Sequence, residues 1–400
     1  MAVDRLLPSQ DAADLVTLAR DIADKALDPI VDAHEKAESY PEGVMAQLGA
    51  AGLLSLPQPE KWGGGGQPYE VYLQVLEEIA ARWAAIAVAV SVHVLSSHPL
   101  LTFGTDEQQR RWLPGMLSGA QIGAYSLSEP QAGSDAAGLR CAAIKSDDGY
   151  LLNGSKSWIT HGGRADFYNL FARTRSGSGS GGQERRARAR RAGDDQGNKG
   201  SVSCFLVPGD LPGLSFGKPE EKMGLHAVPT TSAFYDHALI AADRLIGDEG
   251  QGLQIAFSTL DSGRLGIAAV ATGLAQAALD DAVTYANERT TFGRKIIDHQ
   301  GLGFLLADMA AAVASARATY LDAARRRDAG RPYSQPASVA KLVATDAAMK
   351  VTTDAVQVFG GAGYTRDYRV ERYMREAKVM QIFEGTNQIQ RLVISRGLSS

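Results

Sequence analysis

The sequence predicts an α+β fold in three blocks: an all-α N-terminal domain over residues 1–121, a β-sheet or barrel domain over 122–240, and a C-terminal four-helix bundle over 241–400. Three observations carry it. A helical hydrophobic period runs from Asp11 to about Leu117, short alternating runs separated by turn pairs replace it near Gly123, and the helical period returns beyond Asp248.

In the first block, helical runs at 14–27, 43–51 and 69–94 are broken by turn-rich pieces at 40–41 and 61–68. In the second, strands are expected at 123–127, 139–145, 149–152, 166–173, 201–207 and 232–237. Asp148-Gly149 and Asn153-Gly154 are dipeptides that type I′ hairpins favour, because both central positions need φ > 0. In the third, Ile267, Val270 and Leu274 step by three and four, as do Leu302, Leu305, Leu306, Met309 and Val313. Runs at 338–359 and around 370–381 complete four long amphipathic helices. Residues 175–200, RSGSGSGGQERRARARRAGDDQGNKG, hold too few apolar side chains to repay ordering and are expected to form a mobile loop. Its arginines Arg185, Arg186, Arg188, Arg190 and Arg191 suit either a polyanion or plain solvation.

Lys+Arg number 41 against 45 Asp+Glu, a formal charge of −4, which argues against a dedicated nucleic-acid binder. The two cysteines, Cys141 and Cys204, build neither a disulfide framework nor a CxxC metal site, so no metal is expected and a reducing compartment is. The first 20 residues lack an apolar signal core, and no stretch is read as approaching the ~20 apolar residues of a membrane span. A cytoplasmic protein with no membrane contact is the expectation. Glycine, at 43 residues, is in excess.

Five constellations bear chemistry. Residues 125–138, YSLSEPQAGSDAAG, run a strand into a hydroxyl- and glycine-rich turn that suits a ring edge or a phosphate; a turn with no ligand explains it equally. In 153–160, NGSKSWIT, Trp158 and Thr160 are two apart in an extended run and face one side, offering a flat surface and a hydroxyl to a heteroaromatic ring; the alternative is a core Trp. Residues 289–294, RTTFGR, followed by Gln300, offer arginine forks for phosphate or a helix C-cap. Residues 357–364, QVFGGAGY, end a helix with more glycine than one cap needs, which suggests close backbone approach to a ligand. In 382–391, IFEGTNQIQR, Glu384 lies between apolar neighbours and a glycine, a setting that raises a carboxyl pKa toward that of a base near neutrality; an N-capping loop with Thr386 as cap is the alternative.

In this order and at these separations the five resemble the acyl-CoA dehydrogenase family, over most of the chain, with 125–138 and 359–391 matching its two signature regions. GTDEQ at 104–108, WLP at 112–114 and KMG at 222–224 add to the likeness, and LDSGR at 260–264 is most similar to short-chain and branched-chain bacterial members. The resemblance implies the family's α, β, α fold, FAD, and α,β-dehydrogenation of an acyl-CoA thioester to the trans-2-enoyl-CoA. It implies Glu384 as general base, with Trp158 and Thr160 flanking the flavin ring and Tyr125, Leu127 and Ser128 on the strand at its pyrimidine edge. Ser134 would touch substrate and cofactor. Arg289, Phe292 and Gln300 would meet the FAD pyrophosphate and adenosine, and Gln357, Gly360 and Gly361 the FAD of a neighbouring subunit. Thr386 and Gln388 also match FAD contacts, Gly385 belongs to the substrate loop, and Asp261 and Arg264 match contacts to the CoA nucleotide. A branch of the family carries its base where this chain has Gly263, so Glu384 has no rival there.

The weak acidity of a thioester α-hydrogen requires hydrogen bonds to the carbonyl as charge develops, which the resemblance assigns to the Glu384 N–H and a flavin hydroxyl. The β-hydride would leave for flavin N5 and the electrons for an electron-transfer flavoprotein. A homotetramer, a dimer of dimers, is implied by the shared FAD loop. Two rivals stand beside this reading: an oxidase that uses O₂, and a non-catalytic scaffold that recruits an anionic partner through the arginine-rich loop. The chain departs from the family pattern at Glu376, where Asp is usual, and at 226–228, His-Ala-Val.

Overall fold

The computed structural model describes residues 3–175 and 200–398; the loop read at 175–200, its arginines included, otherwise lies outside the described residues. The chain forms two compact units. One joins Met1–Ser91, Glu221–Val228 and Leu260–Ser400, and the other joins Val92–Glu220 with Pro229–Thr259.

The first unit is helical. Helix α1 (Gln10–Ile22) starts where the Ser9 hydroxyl accepts from the Ala12 N–H, and it buries the stripe Ala12, Val16 and Ala19. A π turn at Ala23–Leu27 leads into α2 (Asp28–Ala37), and α3 (Val44–Ala50) follows. The run expected at 69–94 is two helices, α4 (Tyr69–Ala80) and α5 (Ala84–Phe103), because the chain turns at 81–83. After α6 (Asp106–Leu117), which belongs to the second unit, and the sheet come α7 (Gly252–Glu288), α8 (Gln300–Asp328) and α9 (Ser334–Phe359). The fourth expected run, around 370–381, is the 11-residue helix α10 (Val370–Met380), and a further 11-residue helix that was not read from the sequence, α11 (Asn387–Gly397), follows it; both lie against α9. The glycine-rich turn at 360–364 lies between α9 and α10, and the loop at 381–386 separates α10 from α11 and carries Glu384. At Gly273 a Cβ would lie 2.3 Å from the Glu77 carbonyl oxygen, so α7 approaches α4 to within backbone contact.

The absence of a long apolar stretch needs correcting. Ala84–Phe103 and Gln300–Asp328 are both long and apolar enough to cross a membrane; 89% of the apolar window of the first is buried inside the protein, against 22% for the second. Serine and histidine interrupt the first run without making it polar, and α5 serves as a core helix.

The second unit is built on an eight-stranded sheet, ordered β6-β7-β3-β2-β4-β5-β8, with β1 also paired to β4. The strands are β1 (Gly123–Ser126), β2 (Ala142–Ser146), β3 (Gly149–Thr160), β4 (Phe167–Arg175), β5 (Ser201–Pro208), β6 (Leu214–Phe216), β7 (Thr230–Ile240) and β8 (Leu245–Ile246). Strands β1 and β2 pair in parallel with successive parts of β4, at 167–170 and 173–175, so residues 127–141 leave the sheet between them. Tyr150, Leu152, Ile159, Tyr168, Leu170, Phe205 and Tyr235 fill the core.

One hairpin expectation shifts and one fails. The β2–β3 pair closes at Ser146 and Gly149, so the two-residue turn is Asp147-Asp148, one residue earlier than read. Asn153-Gly154 is no hairpin. It is a bulge inside β3, at a register shift against β7 between Leu152 and Gly154, where Gly154 has φ +140° and a Cβ would lie 2.8 Å from the Cys141 Cα. Gly154→Ala is therefore expected to lose about 1–3 kcal/mol in stability, read as a fall in melting temperature, from strain and collision together. Gly301→Ala, in open space on α8 and at helical φ, should be neutral to slightly stabilising in the same measurement.

Candidate active site

In the sheet unit the excursion at 127–141 is held by a buried ion pair. Lys156 Nζ lies 2.8 Å from Glu129 Oε1, with both side chains sealed from solvent, and donates also to Leu127 O at 2.8 Å. The Glu129 carboxylate further accepts from Arg140 N (2.6 Å), Cys141 N (2.9 Å) and Gln131 Nε2 (2.6 Å), so one buried charge ties both ends of the loop to β3. Against the upward push of burial, Lys156 and these donors hold the Glu129 pKa below the carboxylate range. The Ser157 N–H donates to Ser128 O at 2.9 Å, which sets the loop alongside Trp158.

Trp158 is not a core residue. A second register shift, between Lys156 and Ile159, puts it at φ 64° and leaves it 64% exposed, while Ile159 points into the core and Thr160 is half-buried. Leu127 is buried, Ser128 half-buried and Ser134 exposed. The Tyr125 ring rests on Phe171 with centroids 5.0 Å apart, and its hydroxyl donates to Ala256 O at 3.1 Å. Leu127, Ser128 and the backbone beside Trp158 thus come together around one brace, with Thr160 further along β3, paired with Thr230. Lys156 and Glu129 were not singled out from the sequence, where Lys156 stands between two serines and gives no sign of burial.

In the helical unit, Glu384 sits between α10 and α11 at φ 56°, followed by Gly385 at φ 87°. The residue is only partly covered, but its Oε2 is closed off from solvent with no hydrogen-bond partner among the described residues. Burial raises its pKa to about 7, against the pull of Arg264 and Lys341. The capping alternative holds for its neighbour alone: the Thr386 hydroxyl accepts from Ile389 N at 3.2 Å and starts α11, and Gln388 is exposed. Arg264 and Asp261 meet each other, Nη1 to Oδ1 at 2.6 Å, with Ser334 donating to the same Oδ1 at 2.9 Å; Arg264 Nε is buried without a partner among the described residues.

Arg289 closes the last turn of α7 with its N–H on Tyr285 O at 2.9 Å, and the residues after it leave the helix. Thr290–Thr291 and Arg294–Lys295 form a small hairpin, β9 and β10, whose turn is Phe292-Gly293 at φ 53° and 79°, the pattern of a type I′ turn. Arg289, Phe292 (96% exposed) and Gln300 all stand in the open. At the end of α9, Gln357 is exposed and the three glycines separate by role. Gly360 takes φ 62° as the helix stop, and Gly363 lies against Val356 O, where a Cβ would be 2.5 Å away. Gly361 has open space around it and no positive φ, so the fold itself makes no demand for glycine there. The two departures also meet: a Cβ on Gly224 would lie 2.9 Å from the Glu376 amide nitrogen, beside the 226–228 stretch, and burial lifts the Glu376 carboxyl to about 8.

The side chains fit a flavin. An indole face held outward by strained backbone and a neighbouring hydroxyl suit the ring, while a closed-off, unpaired carboxyl oxygen elsewhere suits a substrate proton. Comparison with known proteins decides the family. The acyl-CoA dehydrogenase N-terminal, middle and C-terminal domains match residues 9–120, 124–238 and 250–399. The chain belongs to the acyl-CoA dehydrogenase family. It is 43% identical over 391 residues to an acyl-CoA dehydrogenase of Bacillus subtilis (strain 168), covering 98% of each chain. It superposes on the butyryl-CoA dehydrogenase of Megasphaera elsdenii with a TM-score of 0.91, at 38% identity and 100% coverage of both. A solved structure described as the electron transferring flavoprotein of Acidaminococcus fermentans contains a chain 39% identical to it, with a TM-score of 0.90 and 99% coverage of both. The fold is accordingly the family's helical, sheet and helical arrangement, and this acyl-CoA dehydrogenase is an FAD-dependent oxidoreductase acting on CH–CH bonds.

Lys156→Met would leave the Glu129 carboxylate buried and unpaired, and a loss of about 3–5 kcal/mol is expected in denaturant unfolding. Since the folded pKa of Glu129 lies below its unfolded value, the stability it contributes is present above the carboxylate range and lost as pH falls through the folded value. The variant should therefore lose that acid-side dependence, visible in melting temperature against pH.

Proposed function

We propose that this enzyme removes the α-proton of an acyl-CoA thioester with Glu384 and releases the trans-2-enoyl-CoA. The observation that carries the reading is the Glu384 carboxyl: with Oε2 closed off and without a partner among the described residues, and its pKa raised to about 7, it is a base at neutral pH. Its own N–H donates to no group among the described residues and is free to polarise the thioester carbonyl. Arg264 and Asp261, already locked to each other, would present the arginine to the CoA nucleotide, with Ser134 as a further contact. Trp158, Thr160, Tyr125, Leu127 and Ser128 would hold the flavin ring, and Arg289, Phe292, Gln300, Thr386 and Gln388 the rest of the FAD. Bound FAD supplies the acceptor for the β-hydride, at its N5.

The relative found in a structure described as an electron transferring flavoprotein supports such a protein as electron acceptor. A homotetramer is supported by apolar surface left open on the single chain: Phe292, Phe304 and Tyr364 are 96%, 63% and 88% exposed, and the α8 window is 22% buried. Gly360, Gly361 and Gln357 would then reach the FAD of a neighbouring subunit. Both cysteines are buried and unpaired, which suits a reducing compartment.

Glu384→Gln should stay yellow and bind acyl-CoA but lose nearly all reduction of its flavin by substrate under anaerobic conditions, and full retained turnover would sink the assignment. In the wild type, kcat/KM should fall roughly tenfold per pH unit below about 7 as the carboxyl protonates. Anaerobic bleaching with straight and branched acyl-CoAs from short to long would name the substrate. A peroxide yield equal to turnover without an added acceptor would instead reveal an oxidase.

A further inference from the structure

Lys341 lies fully buried in the middle of α9, a position where an apolar side chain would avoid the desolvation penalty of an ammonium. It faces the turn that carries Glu384. Its Nζ donates to Gly385 O at 2.9 Å and to Asn387 Oδ1 at 2.8 Å. Asn387 is itself fixed, with Nδ2 donating to Thr345 Oγ1 at 2.9 Å and Asp346 Oδ1 at 2.7 Å, and Oδ1 accepting from Thr345 at 3.1 Å. Gln390 Nε2 donates to the same Gly385 O at 2.8 Å. The Gly385–Thr386 peptide, one residue beyond Glu384 in a left-handed turn, is thus tied to a neighbouring helix by a charge-assisted hydrogen bond.

We propose that Lys341 is the positioning residue of the base: from α9 it fixes the Glu384-Gly385 turn and supplies positive charge that keeps the Glu384 carboxylate ready to take a proton. This rests on Glu384 being the base. The groups facing Glu384 are Arg264 from α7, Lys341 from α9 and the hydroxyls of Tyr69 and Tyr72 from α4, while Asp346 acts on Lys341 from within α9. Burial moves Glu384 up and Lys341 down, each to about 7. Because the ammonium favours the carboxylate, removing it should let Glu384 hold its proton to higher pH. Its charge is fullest on the acid side, where that change would be read.

The test compares wild-type, Lys341→Met and Lys341→Arg holoenzymes. Two readouts are followed: the acid limb of kcat/KM, and the pH midpoint of the carboxylic-acid C=O infrared band, assigned by its loss in Glu384→Gln. In Lys341→Met both should move up by ~1 pH unit, with kcat reduced more than KM is raised, and Lys341→Arg should bring both back toward wild type. Flavin content and melting temperature report folding; if Lys341→Met loses flavin, Lys341→Gln, which keeps a donor without the charge, is read in its place. An unmoved midpoint in a folded variant would overturn the role of Lys341. Substrate reduction persisting in Glu384→Gln would overturn the base assignment instead, and the infrared midpoint would still show whether Lys341 governs that carboxyl.

Discussion

Glu77 is the knot of the helical unit. It is completely buried on α4, and a lone carboxylate there would cost far more than the fold could recover. Three partners from distant parts of the chain make it tolerable: Arg5 from the N-terminal segment at 3.1 Å, Arg317 of α8 at 2.7 Å, and the Tyr320 hydroxyl one turn further on. Arg317 also donates to Gln276 of α7 at 2.8 Å, and Gly273 of α7 rests against the Glu77 carbonyl. One buried charge therefore dictates where the N-terminal segment, α7 and α8 meet α4. Each partner is specified, because removing any one leaves the others in debt to desolvation.

The same physics, with compensation withheld, makes the reactive group. Glu77 and Glu129 are buried and surrounded by donors, and their pKa values fall despite burial. Glu384 has its Oε2 buried, with cations near but none bonded to that oxygen among the described residues, and its pKa rises. The difference is direct contact: Glu77 and Glu129 have cations that both attract and hydrogen-bond the carboxylate, whereas Arg264 and Lys341 attract Glu384 without bonding its Oε2, and burial acts in one direction in all three. A glutamate with its full set of donors is a structural anchor, and one left short of them keeps its affinity for a proton.

How much of this was legible depended on range. Helices and strands were readable because their periods are local, but the open position of Trp158 comes from a register shift and a left-handed backbone inside β3, not from the extended alternation that the sequence suggested. The Asn153-Gly154 misreading shows the limit: the dipeptide announces positive φ, but whether a turn or a bulge uses it depends on Cys141, which packs against Gly154 from the start of the neighbouring strand. Glu384 stood out through its apolar neighbours. Lys156, Glu129 and Lys341 did not, because their partners lie 27 and 44 residues away and the chemistry appears only once those distances close. For Lys341 the clue available was a lysine inside an apolar run, which reads equally as a snorkelling surface residue; Lys156 and Glu129 stand beside serines and gave none.

Backbone strain adds a signal that no sequence pattern carries. Among the described residues seven that are not glycine have positive φ, and Trp158, Phe292 and Glu384 are three of them. Such a conformation costs of order 1–3 kcal/mol and is usually given to glycine, which stands one residue after two of the three, at Gly293 and Gly385. If only a turn were needed, glycine would serve at 158, 292 and 384 as well, and more cheaply. Retaining an indole, a phenyl ring and a carboxyl there makes sense when the side chain itself is wanted, facing away from the element that carries it. The strain at these positions is then offset by the surrounding structure: the Lys156–Glu129 brace beside Trp158, the β9–β10 pairing beneath Phe292, and the α9 lysine behind Glu384.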